Sequence, residues 1–509
     1  MGNVDSKFET WVESTDAFLD CIKHLEPNKI PIVAEELRKW KEEAYEPKVV
    51  SIGPRYKGRT ELLPMEQIKW QCMKSLLLRT EYPRISLRDC MKGVLELDTS
   101  VRASYRQEIK LDKYNLATIM VFDGCFLLEL LISASGHWNS TLRQPYVDIS
   151  LRGAEVGKKE VVLIDLMLVE NQIPLFILGE LFRTLFPNVE NNIQNNIEND
   201  IENDIQNNIE NDIENDIENN IENDIENNTE NDIEKNINEI IGNMALKIFG
   251  YSQYTSSNST SDPTKATHFV ELVHSCIRKN YHRNQQFNEV TRKQVKLNCC
   301  ATRLEAAGIR IRPKLDGIQE NSVVSYVKQG FDFNIEFRDR TLEISSLHIT
   351  STTETKWRNF IAWEDHRKKS ERSRGDDNDD DDDDGVGESE DVITFSTLIL
   401  NDLICCESDV QLLKTRGIIV DHVSMSNHGL IDLFGSITNG VDRDLVDSTD
   451  YSNIIHDLNT FWPTNCVVLS LSPRIAWHYL SRFSEWFLKF LRRGYNFTAA
   501  FVTLVTFIQ

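Results

Sequence analysis

The sequence predicts a mainly α-helical domain with a small β hairpin or sheet element, two disordered acidic inserts and a C-terminal hydrophobic, transmembrane-like helix. Three observations carry that prediction. Apolar residues recur at threes and fours through most segments. Two stretches are strongly apolar: Met120 to Ser135, on nearly every side as a buried helix is, and Glu160 to Phe186. Strict alternation of apolar and polar residues is confined to the region from Phe333 to Leu347.

Taken in order, residues 8–45 read as helix through Phe8, Trp11, Val12, Phe18, Leu19, Ile22 and Leu25, broken at Pro27 and Pro31 and resumed from Val33 to Tyr45. Val49, Val50 and Ile52 form a short strand-like run bounded by proline and glycine. Residues 62–80 are an amphipathic helix that tolerates Pro64 in its first turn. Ser86 to Tyr105 gives another. Met120 to Ser135 suits a central buried helix, too short and too interrupted by Asp123 and Glu129 to span a membrane. Glu160 to Phe186 reads as two core helices meeting at a kink at Pro174.

From Ile193 to Ile233 an isoleucine recurs at every fourth position, except where Thr229 stands, in a repeat of the form Ile-Glu-Asn-Asp. A four-residue period drifts by about 40° per repeat on a 3.6-residue helix, and Asn and Asp are poor helix formers. The 189–237 insert is therefore expected to be a flexible, low-complexity excursion, with a right-handedly coiled helix or coiled coil as the second reading. Helix resumes near Ile240 and again at Phe269 to Tyr281. Ala301 to Lys314 reads as a helix closed by Gly308 and followed by a strand at Ile309 and Ile311. Phe333, Ile335 and Phe337, a turn at Arg338 to Arg340, and Leu342, Ile344 and Leu347 complete the hairpin. A helix starts at Thr355, a disordered acidic loop occupies 374–391, and Phe395 to Leu413 continues as helix.

The formal net charge of −24 resides in those two inserts. Residues 190–235 carry −15 and residues 376–391 carry −11, which leaves the rest near +2. The folded part is thus nearly neutral, and a basic surface for nucleic acid is not indicated. The six-residue run Asp379 to Asp384 lacks the turning ligands and glycine of a calcium loop and reads as a solvated loop.

Ten cysteines are scattered without a CxxC, so zinc-ligand spacing is absent and no metal ligands are assigned. The vicinal pairs Cys299–Cys300 and Cys405–Cys406 could be redox sensors but read first as packing. Paired carboxylates exist at Asp123 and Glu129 and at Asp165 and Glu170, without a His, Ser or Cys that the sequence places beside them. They read as structural ion pairs. His422 and His428, six apart, are a weak metal pair, and no glycine-rich nucleotide cradle occurs. No catalytic residues and no cofactor are assigned.

The ends of the chain say more. Met1 to Ser6 matches the N-myristoylation pattern, which makes Gly2 a candidate lipidation site. The N-terminus has no apolar run of a secretory signal, so the thiols are expected reduced in a cytosolic setting and the sequons at Asn139, Asn227, Asn258 and Asn496 are read as chance. Residues 486–509 read as a hydrophobic anchor: Lys489, Arg492 and Arg493 precede an uncharged run from Phe497 to Ile508. Twelve helical residues reach about 18 Å against a hydrocarbon core of about 30 Å. The basic cluster would keep the body of the protein on the cytoplasmic side.

Several ordered segments resemble the plant domain-of-unknown-function 247 family, also called the UPF0481 proteins. They are YEPKVVSIGPRYKG with LLPMEQIKW, VFDGCFLLELL, DLMLVENQIPLFILGELF, ATRLEAAGIRIRP, TETKWRNFIAWED, DVQLLKTRGII and the tail FVTLVTFIQ. The resemblance covers residues 15–509 apart from the acidic inserts. It implies a mainly helical plant protein with one membrane-spanning helix near its C-terminus, no established enzymatic activity, and, as for some members, a role in self-incompatibility or cell recognition. The anchor is shorter here than in the family, and the isoleucine repeat is foreign to it. The functional expectation is a non-enzymatic recognition or signalling component, single-pass or tail-anchored at a membrane such as the plasma membrane, that binds an unknown protein partner. A soluble scaffold and an enzyme with a dispersed Asp165, Glu170 and histidine site are the alternatives.

Overall fold

The computed structural model describes residues 30–79, 85–135, 156–187, 218–249, 266–282, 296–314, 335–372, 391–443 and 449–461, with Leu480 and Ser484. Fifteen α-helices and five strands lie within these residues. The hub of the first half is a 23-residue helix, Lys113–Ser135, here α5. The four before it are α1 (Glu35–Arg38), α2 (Leu63–Arg79), α3 (Leu87–Glu96) and α4 (Asp98–Ala103). After it come α6 (Val156–Asp165), α7 (Leu175–Leu185) and α8 (Glu218–Ile248). Helices α2, α3, α7 and α8 all pack on α5, which explains why its apolar residues face every direction. Among the described residues it is the one helix long and apolar enough to cross a membrane, yet 89% of its apolar window is buried inside the protein. It is a core helix, as its internal acids foretold. At Gly124 a Cβ would come within 2.4 Å of the Leu181 side chain, so the missing side chain is what lets α5 and α7 approach.

The second half begins with α9 (Phe269–His282) and α10 (Ala301–Ala306). Gly308, at φ +94°, ends α10 in the left-handed conformation the sequence called for. A three-stranded sheet follows from β1 (Arg310–Lys314), β2 (Ile335–Arg338) and β3 (Thr341–Ser345), in the order β1-β3-β2. β2 and β3 form the expected hairpin, with Asp339 and Arg340 both at positive φ as a two-residue turn requires. Ile311 lies opposite Leu342 in the parallel β1–β3 pair. Leu347 leaves this sheet: β4 (Leu347–Ile349) pairs in parallel with the distant β5 (Ile419–Asp421). Helices α11 (Thr353–Arg372), α12 (Val392–Leu403), α13 (Glu407–Thr415) and α14 (Asn427–Ile437) pack on one another, α13 also meets β5, and α15 (Thr449–Phe461) touches β2.

Five expectations are corrected. The helix over 33–45 shrinks to α1 and a 3₁₀ turn at Glu42–Ala44. Ser86 to Tyr105 splits into α3 and α4, with Ser86 and Asp89 forming the capping box that starts α3. Val49 to Ile52 forms no strand, because side chains satisfy its amides. Pro174 is no kink: it is the N-cap of α7, and residues 166–174 form a buried non-helical crossing between two separate helices. The helix expected over 395–413 breaks at Ile404 to Cys406, where Asp409 accepts the Cys406 N–H at 3.0 Å and opens α13.

The acidic excursion also ends earlier than expected. Helix α8 starts inside it at Glu218, and the repeat isoleucines Ile233 and Ile237 continue into Ile241, Met244 and Ala245 as buried residues against α5 and α7. Packing of that C-terminal half compensates for the low helix propensity of the Asn and Asp residues. The remainder of the insert, all of the 374–391 loop except Asp391, Gly2 and the 486–509 segment lie outside the described residues.

Candidate functional site

The crossing at residues 166–174 organises the region with the most buried polar chemistry. A loop cannot be buried unless its own and its neighbours' backbone groups find partners. The sequence VENQ supplies them. Glu170, with a side chain 0% exposed, accepts the Val33 N–H at 2.8 Å and faces Arg38 at 2.5 Å with one oxygen. Its other oxygen accepts the Tyr56 hydroxyl at 2.7 Å and lies 3.0 Å from Arg55 Nε. Burial and the Glu170 charge together push the Tyr56 hydroxyl well above its ordinary pKa. Asn171 accepts the Ile52 N–H at 2.7 Å and donates to the carbonyls of Val50 and Asp165. Gln172 donates to the carbonyls of Leu166 and Leu168 and accepts the Phe269 N–H.

Asp165 completes the frame by accepting the N–H groups of Lys48, Val49 and Val50 at 3.0, 2.7 and 2.8 Å. Burial nonetheless pushes its carboxyl up to about 6. Asp123 on α5 accepts the Gly53 N–H at 2.8 Å and meets Lys69 at 2.5 Å, and neither charged side chain has exposed area. Gly53 sits at φ +79° with the Gln172 carbonyl 2.5 Å from where a Cβ would be, so the turn into Pro54 requires glycine. Glu129 pairs with Arg79 and accepts the Ser75 hydroxyl.

Beside this frame opens a groove of about 620 Å³. Its walls are the segment at Ile30 and Ile32, whose backbone bridges to that of Tyr105, and the stretch from Gln107 to Leu111. Glu170 forms part of the floor. Four bases (Arg38, Arg55, Arg59 and Lys110) and four acids (Glu42, Glu46, Glu108 and Glu170) line it, so its formal charge balances. Arg59 is held by Glu46 at 2.7 Å and Arg55 by Gln107 at 2.5 Å.

The proposed dispersed triad is not assembled among these residues. Every oxygen of Asp165 and Glu170 is occupied by backbone amides, Arg38, Arg55 or Tyr56. The histidines meet other partners: His274 lies 2.8 Å from Glu364, His348 Nδ1 lies 2.8 Å from His422 Nε2, and His428 faces Asp432. His422 and His428, which the sequence offered as a pair, thus take different neighbours. His268 is fully buried, edge-on to Trp363 at 4.7 Å between centroids, and accepts the Glu271 N–H at Nδ1.

Burial lowers the His268 pKa to about 3, with a smaller push from His366. Between that value and the unfolded value of about 6.5 the unfolded chain holds the extra proton. The stability that His268 gives above about pH 6.5 is therefore lost as pH falls, by up to about 1.4 kcal/mol per pH unit. Urea melts at about pH 7 and about pH 5 should give a shallower loss for His268→Gln than for the parent chain.

A second constellation was invisible in the spacing. Cys300, Cys405 and Asp409 bring their sulfur and oxygen atoms within 4.8 Å of one another across more than one hundred residues of chain. Cys405, read from the sequence as packing, is exposed. The other vicinal residue, Cys299, is buried, and burial raises its thiol pKa to about 12.

A family model described as a plant protein of unknown function, DUF247, matches residues 30–508. The chain is 32% identical over 139 residues to the UPF0481 protein At3g47200 of Arabidopsis thaliana, a match covering 27% of this chain and 28% of that one. It is also 32% identical over 136 residues to a second UPF0481 protein of that plant, At3g02645, covering 27% of this chain and 23% of that one. The chain thus aligns with about a quarter of the length of these relatives. No solved structure matches.

Proposed function

As this chain belongs to the DUF247 family of plant proteins of unknown function, we propose that it acts by binding rather than by catalysis, as a membrane-associated recognition component. In this reading it holds a segment of a partner protein in the groove beside Glu170. The observation that carries the reading is the groove's balance of four bases and four acids around a partly apolar wall at Ile30 and Ile32. A nucleotide or nucleic acid would call for a surplus of positive charge. A polypeptide of mixed charge finds both signs, and Ile32, 40% exposed, offers it apolar contact. The carboxylates that chemistry would need are instead engaged in holding the Val33 and Lys48–Gly53 backbone in place. Membrane association rests on the sequence of residues 486–509, where a basic cluster precedes an apolar run.

The test places a photo-crosslinking amino acid at Gln107 in the full chain expressed in plant cells, beside a version ending at Arg493 and a Gly2→Ala version. The expected result is an adduct with one protein in the membrane fraction, abolished by Ile32→Asp. With the chain ending at Arg493, protein and adduct should leave that fraction. A crosslink back to the chain itself, or an adduct unchanged by Ile32→Asp, overturns the groove as the binding site. Fractionation with membranes unchanged by the truncation overturns the anchor.

A further inference from the structure

The cysteine pair at the break between α12 and α13 has an arrangement that packing alone does not explain. Asp409, buried, points one carboxylate oxygen at Thr302, taking its N–H at 2.9 Å and its hydroxyl at 2.7 Å. The other oxygen receives the backbone N–H groups of Cys405 and Cys406 and lies 3.2 and 3.1 Å from their two sulfurs. Cys300, at the start of α10, adds a third sulfur, and its Sγ lies 3.5 Å from Thr302 Oγ1. Four donors crowd one oxygen, more than its lone pairs accept well.

We propose that Cys300, Cys405 and Asp409 form a binding site for a thiophilic divalent cation of the zinc class. Zinc–sulfur and zinc–oxygen bonds of about 2.3 and 2.0 Å in tetrahedral geometry set sulfur–oxygen edges of about 3.5 Å and sulfur–sulfur edges of about 3.8 Å. The 3.2 Å separation of Cys405 Sγ from Asp409 Oδ2 is close to such an edge, and the full set spans no more than 4.8 Å. Binding forms two metal–sulfur bonds and one metal–oxygen bond, and the two thiol protons pass to solvent. Cys405 is exposed, which gives the ion a path in and leaves the fourth position to water or to Cys406. Thr302 fixes the carboxylate from behind, as outer-shell donors do in metal sites. The ion would tie α10 to α13, two elements already in contact.

The full chain, purified reduced and without chelator, is titrated with zinc against a chromogenic chelator, and its metal content is measured by mass spectrometry. One equivalent per chain is expected. Cys405→Ser, at an exposed position that leaves the core untouched, and Asp409→Asn should each weaken binding by roughly 100-fold or more, at or beyond the upper range for outer-shell losses. Cys90→Ala, a core cysteine elsewhere, should leave it unchanged. Cobalt in place of zinc should give sulfur-to-metal charge-transfer absorption that Cys300→Ser diminishes. Equal zinc affinity in the parent and Cys405→Ser chains, or a Cys300–Cys405 disulfide as the state isolated from cells, overturns the proposal.

Discussion

Glu170→Ala should cost roughly 3–5 kcal/mol, the usual penalty for removing one partner of a buried ion pair. Its carboxylate holds Arg38, Arg55, the Tyr56 hydroxyl and the Val33 N–H at once, and its side chain has no exposed area. Without it Arg38 and Arg55 lose the anion they share and keep only the neutral Tyr56 hydroxyl as a common neighbour. The expected readings are a thermal midpoint lower by about 5–15 °C and loss of the Gln107 crosslink. A melting point within about 2 °C of the parent would mean that the floor is held by something other than this carboxylate.

Asp123→Leu should be nearly as severe, because it strands the Lys69 ammonium inside the bundle and takes the acceptor from the Gly53 N–H. Lys69 is normally charged: burial works against it, but Asp123 and Glu66 outweigh burial and raise its pKa. The informative experiment is the double variant Asp123→Leu with Lys69→Met. Replacing a whole buried pair by apolar residues is often neutral or stabilising, whereas breaking it costs roughly 3–5 kcal/mol. Chemical denaturation should therefore show the double variant more stable than Asp123→Leu alone. If the two changes simply add, the pair does not interact as its 2.5 Å separation requires.

Much of the helical frame was legible because periodicity, proline position and glycine caps are local signals. The helix with Pro64 in its first turn, the α10 end at Gly308 and the β2–β3 hairpin come from neighbours in sequence. The site was less legible because its bonds are long-range. Val49, Val50 and Ile52 have strand composition, and nothing near them announces that their amides go to Asp165 and Asn171, well over one hundred residues away. Asp123, Glu129 and Glu170 were readable as members of buried ion pairs, but which base each would take was not, and Asp165 takes backbone amides instead. The break at Ile404 did leave a trace, since Asp409 stands three residues after Cys406 as a capping acid does. That trace is faint because cysteine is not among the usual cap residues. The cysteine cluster has no such trace: Cys300 and Cys405 meet only when α10 packs on α13.

The docking of α8 by its C-terminal half bears on how this gene can change. Ile233, Ile237, Ile241, Met244 and Ala245 are the residues of α8 seen buried against its neighbours, and these have to keep register with α5 and α7. A whole Ile-Glu-Asn-Asp unit gained or lost upstream of Glu218, as happens when a repetitive coding tract slips during replication, leaves the order and spacing of the residues from Ile233 onward unchanged. Such alleles should differ in the length and negative charge of the repeat while keeping the same docked segment, and equal melting temperatures across natural length variants would be the sign of it.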